Sequence, residues 1–216
     1  MVFVTADTHG ELDRLTGKGV KHIKKYDTVI VLGDFGFIWQ DRKDTEKALK
    51  KLAKMPFNTL FIDGWYENFS ALENYPDTVY KGAAAKEIIP GKIYYINRGE
   101  ILDIEDFKIL CFGGADDYID DMFCDRPPCQ EDFDRCDANL QKAEYKVDYI
   151  LTHSPSGKMN RFLNLDSYAT GALFDYLDTV SDRVEYKKWY FGFYHKDKYI
   201  SSKAMAVYEG VYKLGE

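Results

Sequence analysis

The residues of this chain best suited to chemistry lie in short polar motifs that directly follow apolar segments. The sequence DTHG occupies residues 7–10 after the apolar residues 2–4, and GDFG occupies residues 33–36 after a second apolar segment. A Thr-His pair at residues 152–153 and the sequence GFYH at residues 192–195 follow a third and a fourth segment. Short apolar runs bounded by turn residues are typical of buried strands. Because loops at the carboxyl ends of strands in an α/β sheet converge on one crevice, this pattern predicts an α/β fold with one polar site.

Apolar and amphipathic segments alternate through the amino-terminal part of the chain. The strand-like segments are residues 2–6, 28–32 and 58–63, and the helix-like segments are residues 12–25, 45–54 and 68–74. This alternation predicts a layered α/β domain.

Residues 92–114 show a different pattern, in which strand-like segments follow one another without a helix. These segments are residues 93–96, 100–104 and 107–112, and the gaps between them have only two or three residues. Gaps of this length are typical of hairpins, so we expect a second, antiparallel sheet. The two sheets are predicted to form one sandwich within a single domain of residues 1–216, a length that can bury a sizeable core.

The carboxyl-terminal part begins with an irregular acidic loop at residues 115–137. A helix is predicted from residue 130 or later to residue 146, followed by a strand at residues 147–152 and a loop at residues 154–163. A second helix is expected at about residues 169–177, after the cap candidates Asp166 and Ser167. The closing strands are predicted at residues 189–192 and 204–212.

The overall charge limits the classes of ligand that the protein can bind. The net charge is −7 and the isoelectric point is near 5.2, which argues against binding to a nucleic-acid backbone. A small anionic substrate remains compatible with this charge if metal ions reverse the local field. The apolar segments are too short to span a membrane, and Met1 leads directly into a strand, so we expect a cytoplasmic protein.

The four cysteines are expected to be reduced and structural. Cys111 lies in an apolar strand, where a buried free thiol is the usual state. Cys124, Cys129 and Cys136 share one acidic segment without a CxxC pair, so a zinc knuckle is only weakly supported. A disulfide in this segment would require an oxidising compartment.

The candidate ligands in these motifs are carboxylates and imidazoles. Oxygen and nitrogen donors of this kind suit Mn, Fe or Zn better than Ca. Asp34 lies on a turn bounded by glycines and could bridge two ions through its two oxygens. Two ions about 3.5–4 Å apart can clamp a phosphoryl group and activate a water molecule.

In their order and spacing, these motifs resemble those of the calcineurin-like metallophosphoesterase superfamily. The resemblance includes the sequence GWYEN at residues 64–68 and extends from residue 5 to residue 195 and the closing strands. The longer sequences GDFGFIW at residues 33–39 and ENF at residues 67–69 strengthen it. The resemblance implies a two-sheet α/β sandwich with four layers.

The resemblance also implies a ligand set for one metal ion. By position, these ligands are Asp7, His9, Asp34 and His195. A second ion in the family would share Asp34 and use the positions occupied here by Trp65, His153 and Phe193. Indole and phenyl rings cannot ligate a metal, so one ion is expected.

The residues implied for catalysis are also altered. Tyr66 occupies the position of the family histidine that protonates the leaving group or steadies the transition state, and it is a poor acid by comparison. His153 keeps its family position and is the other catalytic candidate. Trp65 and Phe193 are candidates for binding a ligand, with Tyr66 completing a stacking wall for a planar group. The alternative is that these rings merely fill the space of the missing ion.

The sequence therefore supports several functions. The first is a weak phosphoester hydrolase that works with one ion. The second is a catalytically inactive descendant that binds a nucleotide-like ligand or a protein partner through the aromatic crevice. The third is a structural module in which the metal ion only holds loops together. Small phosphorylated molecules or nucleotides are the expected partners, and a membrane or a nucleic-acid backbone is not expected.

Several further polar residues have simpler expected roles. His22 is predicted to lie on a solvated helix face, and Arg98 and Arg161 are expected at the surface unless they contact a phosphate. The acidic cluster Asp116, Asp117, Asp120 and Asp121 could add ligands at the rim of the site, although such clusters are usually solvated.

Overall fold

The computed structural model of the chain describes residues 1–38, 42–116, 118–119, 122–123, 126–163 and 171–216, with the backbone alone for residues 42, 118–119 and 122–123. Its strands are β1 (Val2–Thr5), β2 (Thr28–Leu32), β3 (Asn58–Ile62), β4 (Asp77–Tyr80), β5 (Ala83–Ile89), β6 (Ile93–Ile96), β7 (Glu100–Ile104), β8 (Phe107–Phe112), β9 (Tyr118–Ile119), β10 (Met122–Phe123), β11 (Tyr149–Thr152), β12 (Lys188–Phe191), β13 (Lys198–Ser201), β14 (Ala204–Ala206) and β15 (Tyr212–Lys213). Its helices are α1 (Leu12–Thr16), α2 (Arg42–Leu52), α3 (Phe69–Leu72), α4 (Gln130–Lys142), α5 (Gly157–Phe162) and α6 (Ala172–Arg183).

A mixed sheet of seven strands contains the amino-terminal strands. The strand order is β15-β1-β2-β3-β6-β5-β4. Strands β1, β2, β3 and β6 are parallel, whereas β15, β5 and β4 pair antiparallel at the two edges. The four parallel strands are almost completely buried, as expected for strands that are covered on both faces.

The second large sheet is also mixed, so the prediction of an antiparallel sheet was wrong. Its order is β13-β14-β12-β11-β8-β7, with β8, β11, β12 and β14 parallel and one antiparallel strand at each edge. The expected hairpin between β6 and β7 does not form, because β6 pairs with β3 and β5 in the first sheet. Gly99, with a φ of 77°, lies in the turn where the chain passes from one sheet to the other.

The two sheets face each other across a shared apolar core. Val4 and Ile30 of the first sheet belong to the same cluster as Cys111, Leu151 and Tyr190 of the second. All five side chains are almost completely buried. The interior of the protein therefore lies between two sheets, which confirms the α/β class and the two-sheet arrangement.

Helices cover the outer face of each sheet. Phe61 of β3 packs in one cluster with Leu15 of α1 and Leu49 of α2. On the other sheet, Trp189 of β12 packs with Leu140 of α4 and the apolar face of α6. The positions of these helices leave the loops at the strand ends free to form a site.

The first predicted helix is shorter than expected. Instead of extending over residues 12–25, α1 ends at Thr16 and is followed by a 3₁₀ turn at Lys18–Val20. Gly17 has an extended backbone, and a Cβ atom there would collide with the carbonyl oxygen of Asp13. Gly17 is therefore the C-cap of α1: its amide donates to the carbonyl oxygen of Asp13, and its extended backbone leaves no room there for a side chain.

Several carboxyl-terminal elements also differ from the predictions. Helix α4 ends at Lys142, and α5 lies where a loop was expected, with the hydroxyl of Ser156 accepting a hydrogen bond from the Met159 amide at its start. The predicted strand at residues 204–212 is two strands, β14 and β15, in different sheets. Helix α6 begins at Ala172, and the proposed caps Asp166 and Ser167 lie outside the described residues.

The hairpin of β4 and β5 was not predicted from the sequence. Its turn contains Lys81 and Gly82 with φ angles of 51° and 85°. A two-residue loop that contains a glycine and follows the β-branched and aromatic residues of β4 is a recognisable hairpin pattern.

The described cysteines are free thiols. Cys111 and Cys136 are buried, and burial raises the pKa of both thiols, whereas Cys129 is exposed. The prediction for Cys124 falls outside the described residues, as does that for Trp39 in the GDFGFIW sequence.

Among the residues that the structure describes, no helix is both long enough and apolar enough to cross a membrane.

Candidate metal centre

The predicted site residues lie in loops that follow parallel strands of both sheets. Asp7 follows β1, Asp34 follows β2, His153 follows β11, and His195 lies just beyond β12. Several residues of these loops have positive φ angles although they are not glycines: Asp7, His9, Asp34, Phe193 and His195, with values between 44° and 76°. Such strained conformations cluster at functional sites.

Asp7, Asp34 and His153 form a compact buried group. One potential ligand atom from each residue lies within 4.8 Å of those of the other two, and each residue is almost completely buried. The Oδ1 atom of Asp7 lies 3.4 Å from Nδ1 of His153, and Oδ1 of Asp34 lies 4.0 Å from Nε2 of His153. The group could hold a single metal ion.

Two atoms of this group are buried without a hydrogen-bond partner. They are Oδ1 of Asp7 and Nε2 of His153. Burial of a carboxylate oxygen that accepts no hydrogen bond is costly, because the protein does not replace the hydrogen bonds that water would make. A divalent cation would satisfy both atoms at once, so these residues fit a bound metal.

The protonation of His153 follows from its surroundings. Burial lowers the pKa of the imidazole, but the carboxylates of Asp34 and Asp7 outweigh it and raise the pKa to about 9. Nδ1 lies 3.1 Å from the carbonyl oxygen of Leu32, to which it donates. This bond leaves Nε2 as the ring atom available to a cation, which must displace the Nε2 proton at neutral pH.

Backbone amides hold the two carboxylates in place. The Phe193 amide donates to Oδ2 of Asp7 at 3.0 Å, and the Tyr66 amide donates to Oδ1 of Asp34 at 2.7 Å. These bonds orient the carboxylates from outside the group, as hydrogen bonds to metal ligands commonly do.

His9 and His195 form a second, more exposed part of the site. Their Nε2 atoms lie 3.0 Å apart, and the two rings meet edge to face. The Nε2 atom of His9 also lies 4.0 Å from Oδ2 of Asp34. Asp34 therefore stands between the buried imidazole of His153 and this exposed pair.

The structure thus groups the predicted ligands differently from the sequence. Asp7 and Asp34 lie together as predicted, and the imidazole grouped with both is that of His153, the catalytic candidate at a ligand position of the second ion. His9 and His195 lie together on the exposed side. That all four predicted ligands hold one ion stays a prediction.

Three glycines allow the ligands to approach the strands. A Cβ atom at Gly33 would collide with Nδ1 of His153, and one at Gly64 would collide with Oδ1 of Asp34. At Gly192, a Cβ atom would lie 3.0 Å from Oδ1 of Asp7. Gly33 and Gly64 are therefore required by the packing of the ligand side chains, and Gly192 above all by the carbonyl oxygen of Leu32, 2.4 Å from such a Cβ atom.

The predicted aromatic residues lie beside the metal group. The rings of Trp65 and Phe193 are nearly parallel, with centroids 6.1 Å apart, and the Phe193 ring meets the His153 ring edge to face. Trp65 is buried and packs with Ala115, whereas Tyr66 is 44% exposed and stacks on Trp65. The wall therefore has a buried part and an exposed part.

Glu67 is a buried residue of the site that the sequence analysis did not single out. Its Oε1 atom accepts a hydrogen bond from the Phe35 amide at 2.8 Å, and its Oε2 atom is buried without a partner. Burial raises the pKa of this carboxyl well above its usual range. Glu67 holds the turn that carries Asp34, and its place in the GWYEN sequence was the available indication.

The simpler expectations for other residues were met only in part. Arg98 is buried against Asp63 and is not a surface residue, because the two form a close ion pair. Asp116 is also buried, and it caps α6 by accepting from the Leu173 and Phe174 amides. His22 is exposed as expected, and Arg161 pairs with Asp178 at the surface. Asp117, Asp120 and Asp121 fall outside the residues whose side chains are described.

Comparison of the chain with protein-family models found no match, and comparison with curated proteins found none either.

Proposed function

We propose that the protein is a calcineurin-like metallophosphoesterase that binds one divalent cation and hydrolyses phosphoesters weakly. The observation that carries this proposal is the pair of unsatisfied buried atoms, Oδ1 of Asp7 and Nε2 of His153, within a group that also contains Asp34. The proposal includes the four-layer family fold, which is supported by two facing sheets with helices packed on their outer faces.

Asp7, Asp34 and His153 are proposed as the inner ligands, with His9 and His195 completing the site from the exposed side. This mixed oxygen and nitrogen donor set favours Mn, Fe or Zn. A cation held there supplies Lewis acidity to a phosphoryl oxygen. The exposed side of the site, at His9 and His195, is the side from which a phosphoester can approach.

The aromatic residues are the reason to expect weak hydrolysis. Trp65 and Phe193 pack where a second ion would need ligands, and their rings offer none. Tyr66 is exposed at the same position and can donate a hydrogen bond to a substrate oxygen through its hydroxyl. A phenol is nevertheless a weaker general acid than an imidazolium at neutral pH.

A second candidate function is the binding of a planar phosphorylated ligand, such as a nucleotide, without turnover. The specific observation in its favour is the exposed ring of Tyr66, which stacks on the buried ring of Trp65 at a centroid distance of 6.3 Å. Aromatic faces of this kind bind nucleobases by stacking.

The deciding experiment measures metal content and cleavage together. We expect one equivalent of metal after loading with Mn or Zn, and slow metal-dependent cleavage of bis(p-nitrophenyl) phosphate. Asp34→Asn should abolish both, because it removes a carboxylate that faces both parts of the site. Asp44→Asn, at an exposed position of α2, is the matched control and should change neither.

The remaining outcomes distinguish the two candidates. Metal binding without cleavage, combined with thermal stabilisation by nucleoside monophosphates that Tyr66→Ala removes, would favour the second function. A protein that takes up no metal would contradict both the ligand group and the proposed hydrolysis.

A further inference from the structure

A cavity separate from the metal centre lies between α3, α4 and the loop that follows β6. Its volume is about 230 Å³. Four cationic side chains and two carboxylates line it, together with apolar and aromatic groups; the charged residues are Lys86, Arg98, Arg126, Arg135, Glu73 and Asp132. We call it the basic cavity. Such a concentration of cations is notable in a chain whose net charge is −7.

The inner wall of the basic cavity is rigid. Arg98 is 3% exposed, and its Nε and Nη2 atoms donate to Oδ2 of Asp63 at 2.8 and 2.6 Å. Its Nη1 atom donates to Oδ2 of Asp132 at 3.2 Å, while Oδ1 of Asp132 accepts from Nη1 of Arg135 at 3.0 Å. Both oxygens of Asp132 are thus engaged, and the two guanidinium groups are held in fixed positions.

The outer wall can rearrange. Arg126 donates to Glu73 at 2.9 Å, and both side chains are more than half exposed. Such an exposed ion pair is weak, so an anion of higher charge can displace the Glu73 carboxylate. Lys86 is mostly buried and donates to Asp77 and to the carbonyl oxygen of Tyr75. Within the described part of the chain, Nη2 of Arg135 and Nε and Nη2 of Arg126 donate to no protein group.

The size and chemistry of the basic cavity define its ligand. A volume of about 230 Å³ is below the roughly 300–1,000 Å³ of sites for drug-sized ligands. Guanidinium groups match the oxygens of phosphate in paired hydrogen bonds and bind them strongly. We propose that the basic cavity binds a small phosphoryl anion of the size of inorganic phosphate or pyrophosphate.

The test is calorimetric titration of the full chain with pyrophosphate. Arg126→Gln combined with Arg135→Gln should weaken binding by at least about tenfold, because each guanidinium contributes charge-assisted bonds. Arg161→Gln is the matched control, since Arg161 is also exposed and paired with a single carboxylate. It should leave the affinity within about twofold, as expected for a surface charge outside the site.

Two further variants keep the result interpretable. Glu73→Gln removes the carboxylate that competes for Arg126 and should strengthen binding severalfold, which a purely structural role would not do. Asp34→Asn disables the metal centre and should leave binding unchanged. If the double arginine variant does not fold, Arg126→Gln alone should still weaken binding, because this residue is exposed.

Two results would overturn the proposal. One is the absence of pyrophosphate binding by the wild-type chain at millimolar concentration. The other is binding that survives the arginine replacements; if it also disappears in Asp34→Asn, the anion lies at the metal centre.

Discussion

The Nε2 atoms of His9 and His195 lie 3.0 Å apart, although 186 positions separate the two residues in the chain. Imidazole ligands of one metal ion, each with a bond of about 2.0–2.1 Å, place their nitrogens at about this separation. Without an ion, the pair shares one proton in a direct hydrogen bond. Asp34, 4.0 Å from His9, links this pair to the buried group of Asp7 and His153.

Replacement of His195 tests whether this exposed pair binds the ion. We expect His195→Gln to weaken Mn²⁺ binding by about tenfold or more, because the ion loses its contact with the His195 imidazole. One ion should still bind through the buried group. Competition with a metal-chelating dye measures the affinity. His22→Gln removes an exposed imidazole elsewhere and is the control. Equal affinities in the two variants would show that the pair only shares a proton.

Gly33→Ala tests the close approach of His153. Gly33 has a φ of 85°, and an added Cβ atom would collide with the His153 ring, so we expect weaker metal binding and a lower free energy of unfolding. The backbone strain alone costs about 1 kcal/mol. Gly19→Ala is the matched control, because a Cβ atom at Gly19 meets no atom within 4 Å. Urea denaturation and metal titration measure the two effects, and unchanged metal affinity in Gly33→Ala would contradict the geometry.

The protonation of His153 predicts a pH dependence of metal binding. Because the pKa of His153 in the metal-free protein is raised to about 9, a cation that binds near pH 7 must release the proton from Nε2. The apparent affinity should therefore increase with pH and level off above about pH 9. Calorimetry in buffers of different ionisation enthalpy should detect about one proton released per ion at pH 7 and almost none at pH 10. A pH-independent proton count would exclude His153 as a ligand.

The aromatic positions can be tested by restoring ligand chemistry. We expect Trp65→Asn, Tyr66→His and Phe193→His together to raise the metal content from one ion toward two and to increase phosphodiester cleavage. Loss of the buried indole should cost about 3 kcal/mol of stability, so the variant should be assayed well below its unfolding temperature. Tyr66→His alone is the control, since it adds no ligand at Trp65 or Phe193. If the triple variant gains neither metal nor activity, the positional correspondence with the family is wrong.

The ion pair of Asp63 and Arg98 should contribute strongly to stability when one partner is removed. Both side chains are almost completely buried, and Tyr95 also donates to Asp63 at 3.0 Å. We expect Asp63→Ala to lower the free energy of unfolding by about 3–5 kcal/mol, because the Arg98 charge is left buried near only one carboxylate. The double change Asp63→Leu and Arg98→Met should be less harmful. Urea denaturation of both variants gives the comparison, and equal losses would contradict this account.

Local patterns predicted the strands that carry the site. Strands β1, β2, β11 and β12 were recognisable as apolar runs that end in glycine or polar residues, and Asp7 and Asp34 were correctly expected to lie together. Strand β6 was also recognised, but its sheet was not, because pairing with β3 depends on residues more than thirty positions away. The end of α1 was missed although its signal is local: Gly17 packs against the carbonyl oxygen of Asp13, only four positions earlier in the same helix.

The sequence by itself determined which side chains stand at the ends of buried strands, since strand formation and glycine turns are local properties of the chain. Tertiary structure alone decided how those side chains combine: His153 with Asp7 and Asp34, His9 with His195, and Glu67 behind the turn of Asp34. The physical reason is that the position of an imidazole or a carboxylate depends on the packing of two sheets whose residues are far apart in sequence. Distances of a few ångströms, which decide metal binding, are fixed only by that packing.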